Sequence, residues 1–275
     1  MKPAAVEYVR PKNLAEAVAL AADKGRESQL MAGGQSLVAM MSLRLAGPDC
    51  VIDIARLPEL LAVSEDGAAV TLGAAVTHAA IEDGTVPDAS KGLMPHVAAG
   101  IAYRAVRNRG TLGGSLALAD PAAEWPAVTA ALGAEIIVSG PAGRRTIAAG
   151  DFATGVYETR LEKGEIVESV RIPKLSGSAR WGFVKLARKE GAFASALAAA
   201  VKDGGAARVV LGVANGPPLL LAEAARLLAQ GAGERGRLRE ALAADLDRAA
   251  DRGFDEFQRN LHEAAAMRSI SQVLQ

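Results

Sequence analysis

Short apolar runs separated by segments of helical periodicity mark the first part of the chain. Apolar runs at residues 6–10, 29–32 and 50–54 predict strands. Asn13 followed three residues later by Glu16 is typical of a helix N-terminus after the first strand. Residues 37–45 predict a second helix, with Ser36 as its N-cap. A strand, a glycine turn and a helix are therefore predicted in succession.

The middle of the chain mixes hairpins with helices. Turn residues at 65–67 and 140–143 lie between apolar runs, as they do in β-hairpins. Asp120 as N-cap and Pro121 at the first helical position predict a helix that ends at Gly133. This part of the chain is therefore predicted to contain both strands and helices.

A change of composition at residues 173–178 predicts a domain boundary. Beyond it, residues 181–187, 195–201 and 207–213 predict the strands of a meander, and residues 219–230, 235–250 and 254–271 predict helices. The C-terminal part is therefore predicted to be a small sheet backed by helices.

Composition and charge narrow the class of partner. The chain has 275 residues, half of them hydrophobic, and 31 basic residues balance 31 acidic ones. Without a net charge, nucleic acid and anionic membrane surfaces are not expected partners. We see no signal peptide and no apolar stretch of membrane-spanning length, so we expect a cytoplasmic protein without membrane insertion. One cysteine and three scattered histidines predict no metal site in this chain.

Two glycine pairs are the candidate ligand-binding motifs of the chain. They lie in Ala32-Gly33-Gly34-Gln35-Ser36 and in Thr111-Leu112-Gly113-Gly114-Ser115. Paired glycines before a helix let backbone N–H groups approach the phosphates of a dinucleotide. Either pair alone is more typical of an ordinary turn, but the two pairs together favour phosphate binding. Residues 231–236 match the Rossmann spacing but follow a predicted helix, so we interpret them as a helix–helix linker.

Both turns, together with residues 106–117 and 120–124, resemble the FAD-binding medium subunit of molybdenum hydroxylases, the family of xanthine dehydrogenase, carbon monoxide dehydrogenase and quinoline oxidoreductase. The resemblance covers essentially the whole chain and implies an α+β fold. It places an FAD-binding domain of the p-cresol methylhydroxylase (PCMH) type at residues 1–175, in two α/β subdomains at about 1–54 and 55–175. Residues 178–275 then form the C-terminal domain of these subunits, an antiparallel sheet backed by helices.

The resemblance also implies a set of cofactor-binding residues, and no catalytic or metal-binding ones. The set is Met31, Ala32, Gly33, Gly34, Gln35, Ser36, Ile101, Thr111, Gly113, Gly114, Ser115, Glu124, Lys185 and Phe193. Many relatives carry a histidine where this chain has Leu118.

Three members of the set have a second interpretation. Glu124 either accepts a hydrogen bond from a ribityl or ribose hydroxyl or is only a charge in the first turn of a helix. Lys185 either stabilises negative charge on the flavin ring or is a solvated strand lysine. Phe193 either stacks on the isoalloxazine or is a core aromatic.

The function implied is electron transfer within a heterotrimer. A large subunit would carry the molybdopterin cofactor, a small subunit two 2Fe-2S clusters, and this chain FAD, with the complex expected as a dimer of heterotrimers. Electrons would pass from the clusters through FAD to an external acceptor. Two alternatives stay open, namely a self-sufficient flavin oxidase or dehydrogenase of the same fold and a non-enzymatic nucleotide-binding module.

Overall fold

The computed structural model describes residues 2–213, 215–231 and 233–275. Its strands are β1 Glu7–Val9, β2 Ser28–Met31, β3 Cys50–Asp53, β4 Val63–Glu65, β5 Ala69–Gly73, β6 Glu135–Gly140, β7 Gly143–Ala148, β8 Ala153–Gly155, β9 Glu158–Thr159, β10 Ile166–Pro173, β11 Arg180–Leu186, β12 Ala196–Asp203, β13 Ala206–Gly212 and β14 Leu219–Leu220. Its helices are α1 Leu14–Ala22, α2 Leu37–Ser42, α3 Pro58–Leu61, α4 His78–Glu82, α5 Leu93–Ala99, α6 Arg104–Arg107, α7 Leu112–Leu118, α8 Glu124–Leu132, α9 Ala149–Phe152, α10 Ala222–Ala229, α11 Arg235–Arg248 and α12 Glu256–Leu274, with a 3-10 turn at Ala250–Arg252.

The N-terminal strands form a parallel sheet in the order β1-β3-β2. The predicted start of α1 is confirmed, because the Asn13 side chain accepts a hydrogen bond from the backbone N–H of Glu16 at 2.9 Å. The carboxyl ends of parallel strands lie at one edge of a sheet, where α/β proteins bind their ligands. At this edge β2 runs directly into the first glycine turn, so the sheet determines where that turn lies.

A second, antiparallel sheet has the order β4-β5-β10-β6-β7. Both predicted hairpins are confirmed. Glu65 of β4 pairs with Val70 of β5, and Gly140 of β6 faces Gly143 of β7. Helices α4 to α8 lie between β5 and β6 in sequence, so the second glycine turn, at the start of α7, belongs to this layer.

The C-terminal sheet has the order β11-β12-β13-β14, and its strand β12 is buried on both faces. Along β12, Leu197, Ala199 and Val201 belong to the large core shared with the N-terminal part, and the alternate residues pack in a second cluster with α10, α11 and α12. Successive side chains of a strand point to opposite faces, so one strand serves both cores. The predicted α+β architecture with a helix-backed antiparallel sheet is confirmed.

Two predicted helix starts are wrong. Helix α8 begins at Glu124 instead of after Asp120, because the Asp120 side chain accepts from the N–H of Ala122 in a local turn at 2.9 Å. The carbonyl of Pro121 is also taken by the N–H of Val213 at 2.9 Å. Residues 219–220 pair with β13 as a strand, so the helix predicted from residue 219 begins at Ala222.

The predicted linker at residues 231–236 is confirmed where the structure describes it, since Gly231 follows α10 and Gly236 lies in α11; Ala232 is outside the described residues. Among the helices of the described ranges, none combines the length and the apolar character that crossing a membrane requires.

Candidate functional site

The structure packs the two glycine turns against each other. A Cβ atom on Gly33 would lie 2.2 Å from the carbonyl oxygen of Arg109 and 2.8 Å from the Cα of Gly110. A Cβ on Gly114 would lie 3.7 Å from the Cβ of Ala32. Segments about eighty residues apart in sequence therefore form one surface, and only glycine fits at position 33.

The first turn offers unused backbone donors. Among the described residues, no group accepts a hydrogen bond from the N–H groups of Gly33, Gly34, Gln35 and Ser36. Gly34 has a φ of +72°, which turns the chain so that consecutive N–H groups can converge on one anion. Ser36 is the N-cap residue of α2, as predicted, but its side chain makes no capping hydrogen bond. The turn therefore presents backbone donors without a protein partner at the start of the short helix α2.

The second turn has already used its donors. The N–H groups of residues 112–115 donate to the carbonyl oxygens of Val76, Ala74 and Thr111 and to the Thr111 hydroxyl, over 2.9–3.1 Å. A Cβ on Gly113 would lie 2.3 Å from the Cβ of Ala74. The glycines of this turn therefore allow close packing inside the first turn of α7. This differs from the expectation that both pairs present free N–H groups.

The donors that the second turn still has available for a ligand are two side-chain hydroxyls. The Thr111 Oγ1 atom accepts from Gly114, so its own hydrogen is free to donate. The half-buried Ser115 hydroxyl has no partner in the described part of the chain. Donation from this turn to a ligand would come from hydroxyls and not from amides.

Beneath the second turn lies a histidine that sequence reasoning missed. The backbone N–H of His78 donates to the carbonyl of Gly110 at 2.9 Å, and the Trp125 indole N–H donates to His78 Nδ1 at 3.1 Å. Burial, assisted by the charge of Arg107, lowers the pKa of His78 to about 4. Thirty-two residues separate His78 from Gly110, so no local motif marks this contact.

Glu124 and Lys185 meet in a largely buried ion pair. The Lys185 ammonium lies 2.6 Å from the Glu124 carboxylate, and only 12% and 8% of the two side chains are exposed. Lys185 also donates to the carbonyl of Gly100 at 3.0 Å. The interpretation of Lys185 as a solvated strand lysine is therefore wrong. The pair ties β11 of the C-terminal sheet to α8 and to the residue before Ile101.

Ile101 and Phe193 lie on neighbouring segments. The Arg107 guanidinium donates to the carbonyl oxygens of Ile101 at 3.0 Å and of Ala102 at 3.4 Å. Gly191, with a φ of +71°, comes so close to Ala102 that a Cβ would lie 2.4 Å from that residue's carbonyl oxygen. Phe193, two residues later, is 71% exposed, so its interpretation as a core aromatic is wrong.

Met31 completes the predicted set. It is half-buried at the end of β2, and its sulfur would lie 3.4 Å from a Cβ on Gly34. Across the described ranges, no group of three or more His, Cys, Asp or Glu side chains is arranged to hold a metal ion.

A family model described as the FAD binding domain in molybdopterin dehydrogenase matches residues 4–175. The chain belongs to this family. Among the family's curated members it is 40% identical, over 73% of its length and 70% of the relative's, to the carbon monoxide dehydrogenase medium chain of Hydrogenophaga pseudoflava. It is 36% identical, over 72% of its length and 68% of the relative's, to caffeine dehydrogenase subunit beta of Pseudomonas sp. strain CBB1.

Solved structures agree with this family. Carbon monoxide dehydrogenase from Hydrogenophaga pseudoflava matches with a TM-score of 0.90 and 33% identity, over 99% of this chain and 98% of the other. Quinoline 2-oxidoreductase from Pseudomonas putida 86 matches with a TM-score of 0.86 and 34% identity, over 100% and 98% of the two chains. The predicted resemblance is confirmed, and the homologues are FAD-containing medium subunits of multi-subunit molybdenum hydroxylases.

Proposed function

We propose that this chain binds FAD on its paired glycine turns and is the electron-transfer subunit of a molybdenum hydroxylase. The observation that carries the proposal is the run of four backbone donors, Gly33 to Ser36, that have no acceptor among the described residues. Unsatisfied amides at a helix start favour a phosphate-bearing ligand. Family membership identifies that ligand as FAD.

The residues present fit the pyrophosphate of this cofactor. Gly33 and Gly34 leave no side chain in front of the amides of the first turn, and Ser115 adds a free hydroxyl from the second. Arg109 is exposed, makes no ion pair within the described residues, and belongs to the peptide on which Gly33 packs. A cation beside the amides would complement two negative phosphates.

At the ring end, the proposal assigns separate tasks to Phe193 and to the Glu124–Lys185 pair. FAD, when bound, supplies the redox chemistry. The exposed ring of Phe193 offers a flat apolar surface on which the isoalloxazine can stack and be shielded from water. Two of the three Lys185 ammonium hydrogens are engaged, so one remains to stabilise negative charge. With one Glu124 oxygen held by Lys185, the other is left to accept from a cofactor hydroxyl, and Ile101 supplies apolar contact beside Gly100.

The partners are also part of the proposal. Cys50 is the only cysteine and is buried, so iron–sulfur clusters must lie on another chain. We propose a small subunit with two 2Fe-2S clusters and a large molybdopterin-binding subunit, assembled as a dimer of heterotrimers in the cytoplasm. The medium-chain names of relatives support this arrangement over a self-sufficient oxidase.

We further propose residues 1–175 as the FAD-binding domain, with subdomains at about 1–54 and 55–175, and residues 178–275 as the C-terminal domain. The support is the family match to residues 4–175 and the change from the second sheet to the third between β10 and β11.

The experiment is a tagged purification of the chain co-expressed with its neighbouring reading frames. We expect flavin absorbance, co-purifying chains that contain molybdenum and iron, and a particle mass of two heterotrimers. Release of the flavin followed by titration with ADP should show competition with FAD, because ADP carries the same pyrophosphate. Flavin turnover by the isolated chain with an organic substrate would support the oxidase alternative, and absence of flavin would contradict FAD binding.

A further inference from the structure

A peptide bond lies between the first glycine turn and the buried ring of His78. The side-chain atoms Cδ2 and Nε2 of His78 would each lie 2.9 Å from a Cβ on Gly110. On the peptide that precedes Gly110, the carbonyl oxygen of Arg109 would lie 2.2 Å from a Cβ on Gly33. The position of the Arg109–Gly110 peptide therefore determines where Gly33 can lie.

The His78 ring is held in one orientation and one protonation form. Trp125, which is 0% exposed, can only donate through its indole nitrogen, so the Nδ1 atom of His78 must be the acceptor. The proton of the neutral ring is then on Nε2, the atom that faces Gly110. A second bond, from the backbone N–H of His78 to the Gly110 carbonyl, anchors the same peptide at 2.9 Å.

These contacts connect His78 to both glycine turns. Gly33 begins the run of unpaired amides, and Gly110 directly precedes Thr111, the N-cap of α7. A shift of the peptide between them would change the spacing of the two turns. Backbone amides bind an anion well only when they are held in place before it arrives.

We propose that His78 is a positioning residue for the flavin pyrophosphate: its ring, oriented by Trp125, supports the Arg109–Gly110 peptide on which Gly33 and the first turn rest. The inference rests on the proposed FAD function. His78 itself does not contact the cofactor, and it acts through the backbone of residues 109–110.

The test compares two buried histidines in the full-length chain. His78→Asn keeps an acceptor near Trp125 but removes the edge of the ring that supports Gly110. His262→Asn is the matched control, since His262 is 1% exposed and packs against Phe254 at the start of the C-terminal helix α12. FAD dissociation constants are measured by flavin fluorescence on the apoprotein at pH 8, with circular dichroism and the melting temperature recorded for each variant.

We expect His78→Asn to raise the Kd for FAD roughly tenfold, because the Arg109–Gly110 peptide loses the packing contact with the ring edge that holds it in place. At a similar melting temperature, His262→Asn should bind like the wild type. ADP should lose affinity in parallel with FAD, because the pyrophosphate is the part affected. If His78→Asn does not fold, Trp125→Phe, which leaves the ring without its donor, should weaken both ligands in the same direction.

Wild-type affinity for FAD in folded His78→Asn or Trp125→Phe would overturn the positioning role and leave the proposed function intact. Equal weakening by His262→Asn would also overturn it, because global stability would then be the cause. A wild-type chain that binds neither FAD nor ADP would contradict the proposed function itself.

Discussion

The two glycine turns each carry a Gly-Gly pair at the start of a helix but differ in the hydrogen bonds of their backbone N–H groups. In the first turn the N–H groups of Gly33 to Ser36 have no acceptor among the described residues, whereas in the second turn the N–H groups of residues 112–115 are all bonded within the protein. In the second, Gly113 allows α7 to approach Ala74. The comparison teaches that a glycine pair can either allow close packing that shapes a site or leave N–H groups available to a ligand. The hydrogen-bond partners of the N–H groups show which of the two roles a pair has.

The largest effect should come from Gly113→Ala, which tests the building role. Its new methyl group would lie 2.3 Å from the Cβ and 2.7 Å from the Cα of Ala74, and neither can move without displacing the sheet. We expect the free energy of unfolding to fall by about 3 kcal/mol or more, measured by urea denaturation. Gly236→Ala is the matched control, because Gly236 is also the second residue of a helix, α11, and has nothing within 4 Å. It should be neutral or stabilising by up to about 1 kcal/mol.

Lowering the pH should destabilise the folded protein through His78, which lies next to the second turn. Because the pKa of His78 in the folded protein, about 4, is below its usual 6.5, the unfolded chain takes up the proton first as the pH falls. The free energy of unfolding should therefore decrease from pH 6.5 to pH 4, by roughly 3 kcal/mol from this group. Two causes lower this pKa: the burial of the ring and the positive charge of Arg107. The Arg107 guanidinium is itself paired with Glu82 at 2.7 Å.

Stability measured against pH in His78→Phe checks this, since phenylalanine keeps a ring but cannot take up a proton. The pKa of His262 is also lowered by burial, and its contribution is common to both proteins. Parallel curves for wild type and His78→Phe between pH 6.5 and pH 4 would contradict the assignment.

Gly34→Asp tests the binding role of the first turn. The aspartate would take a residue with a φ of +72° and place a negative charge beside the free amides. We expect FAD affinity to fall about a hundredfold or more, because the carboxylate competes with and repels the phosphates. Gly253→Asp adds the same charge at a φ of +68° with nothing within 4 Å, so it controls for strain and charge. Unchanged flavin content in folded Gly34→Asp would disprove the phosphate assignment.

The smallest effect separates the hydroxyls that precede the two helices. Thr111→Val removes the acceptor of the Gly114 N–H, so the free energy of unfolding should fall by about 1 kcal/mol. Ser36→Ala removes a side chain without a capping bond, so its stability should stay within about 0.5 kcal/mol of the wild type. A larger loss of unfolding free energy for Ser36→Ala than for Thr111→Val would contradict the assignment of the capping role to Thr111 alone.

Local patterns predicted the elements that depend on neighbouring residues. The Asn13 cap, the hairpin at residues 140–143 and the strands predicted at residues 29–32 and 50–54 follow from turn chemistry and periodicity, and the structure confirms them. The start of α8 could not be predicted in this way. Asp120 and Pro121 have the composition of a helix start, but Val213, from β13's end, takes the Pro121 carbonyl.

The candidate site also contains residues that the sequence predicted and one that only the structure revealed. The glycine pairs, Glu124, Lys185 and Phe193 were selected from motifs and a family resemblance, and the structure pairs Glu124 with Lys185 and exposes Phe193. His78 carried no signal, because its partners are Gly110 and Trp125 on other elements.

By itself, the sequence determined that this chain has a glycine turn at the start of each of two helices, an α+β order of elements and membership of a family. It determined these because turn formation and periodicity depend on a few adjacent residues. Only the tertiary structure decided that the two turns touch, that one keeps its amides free and that His78 contacts Gly110 between them. Those outcomes depend on which distant carbonyls approach each N–H group, and folding alone sets these distances.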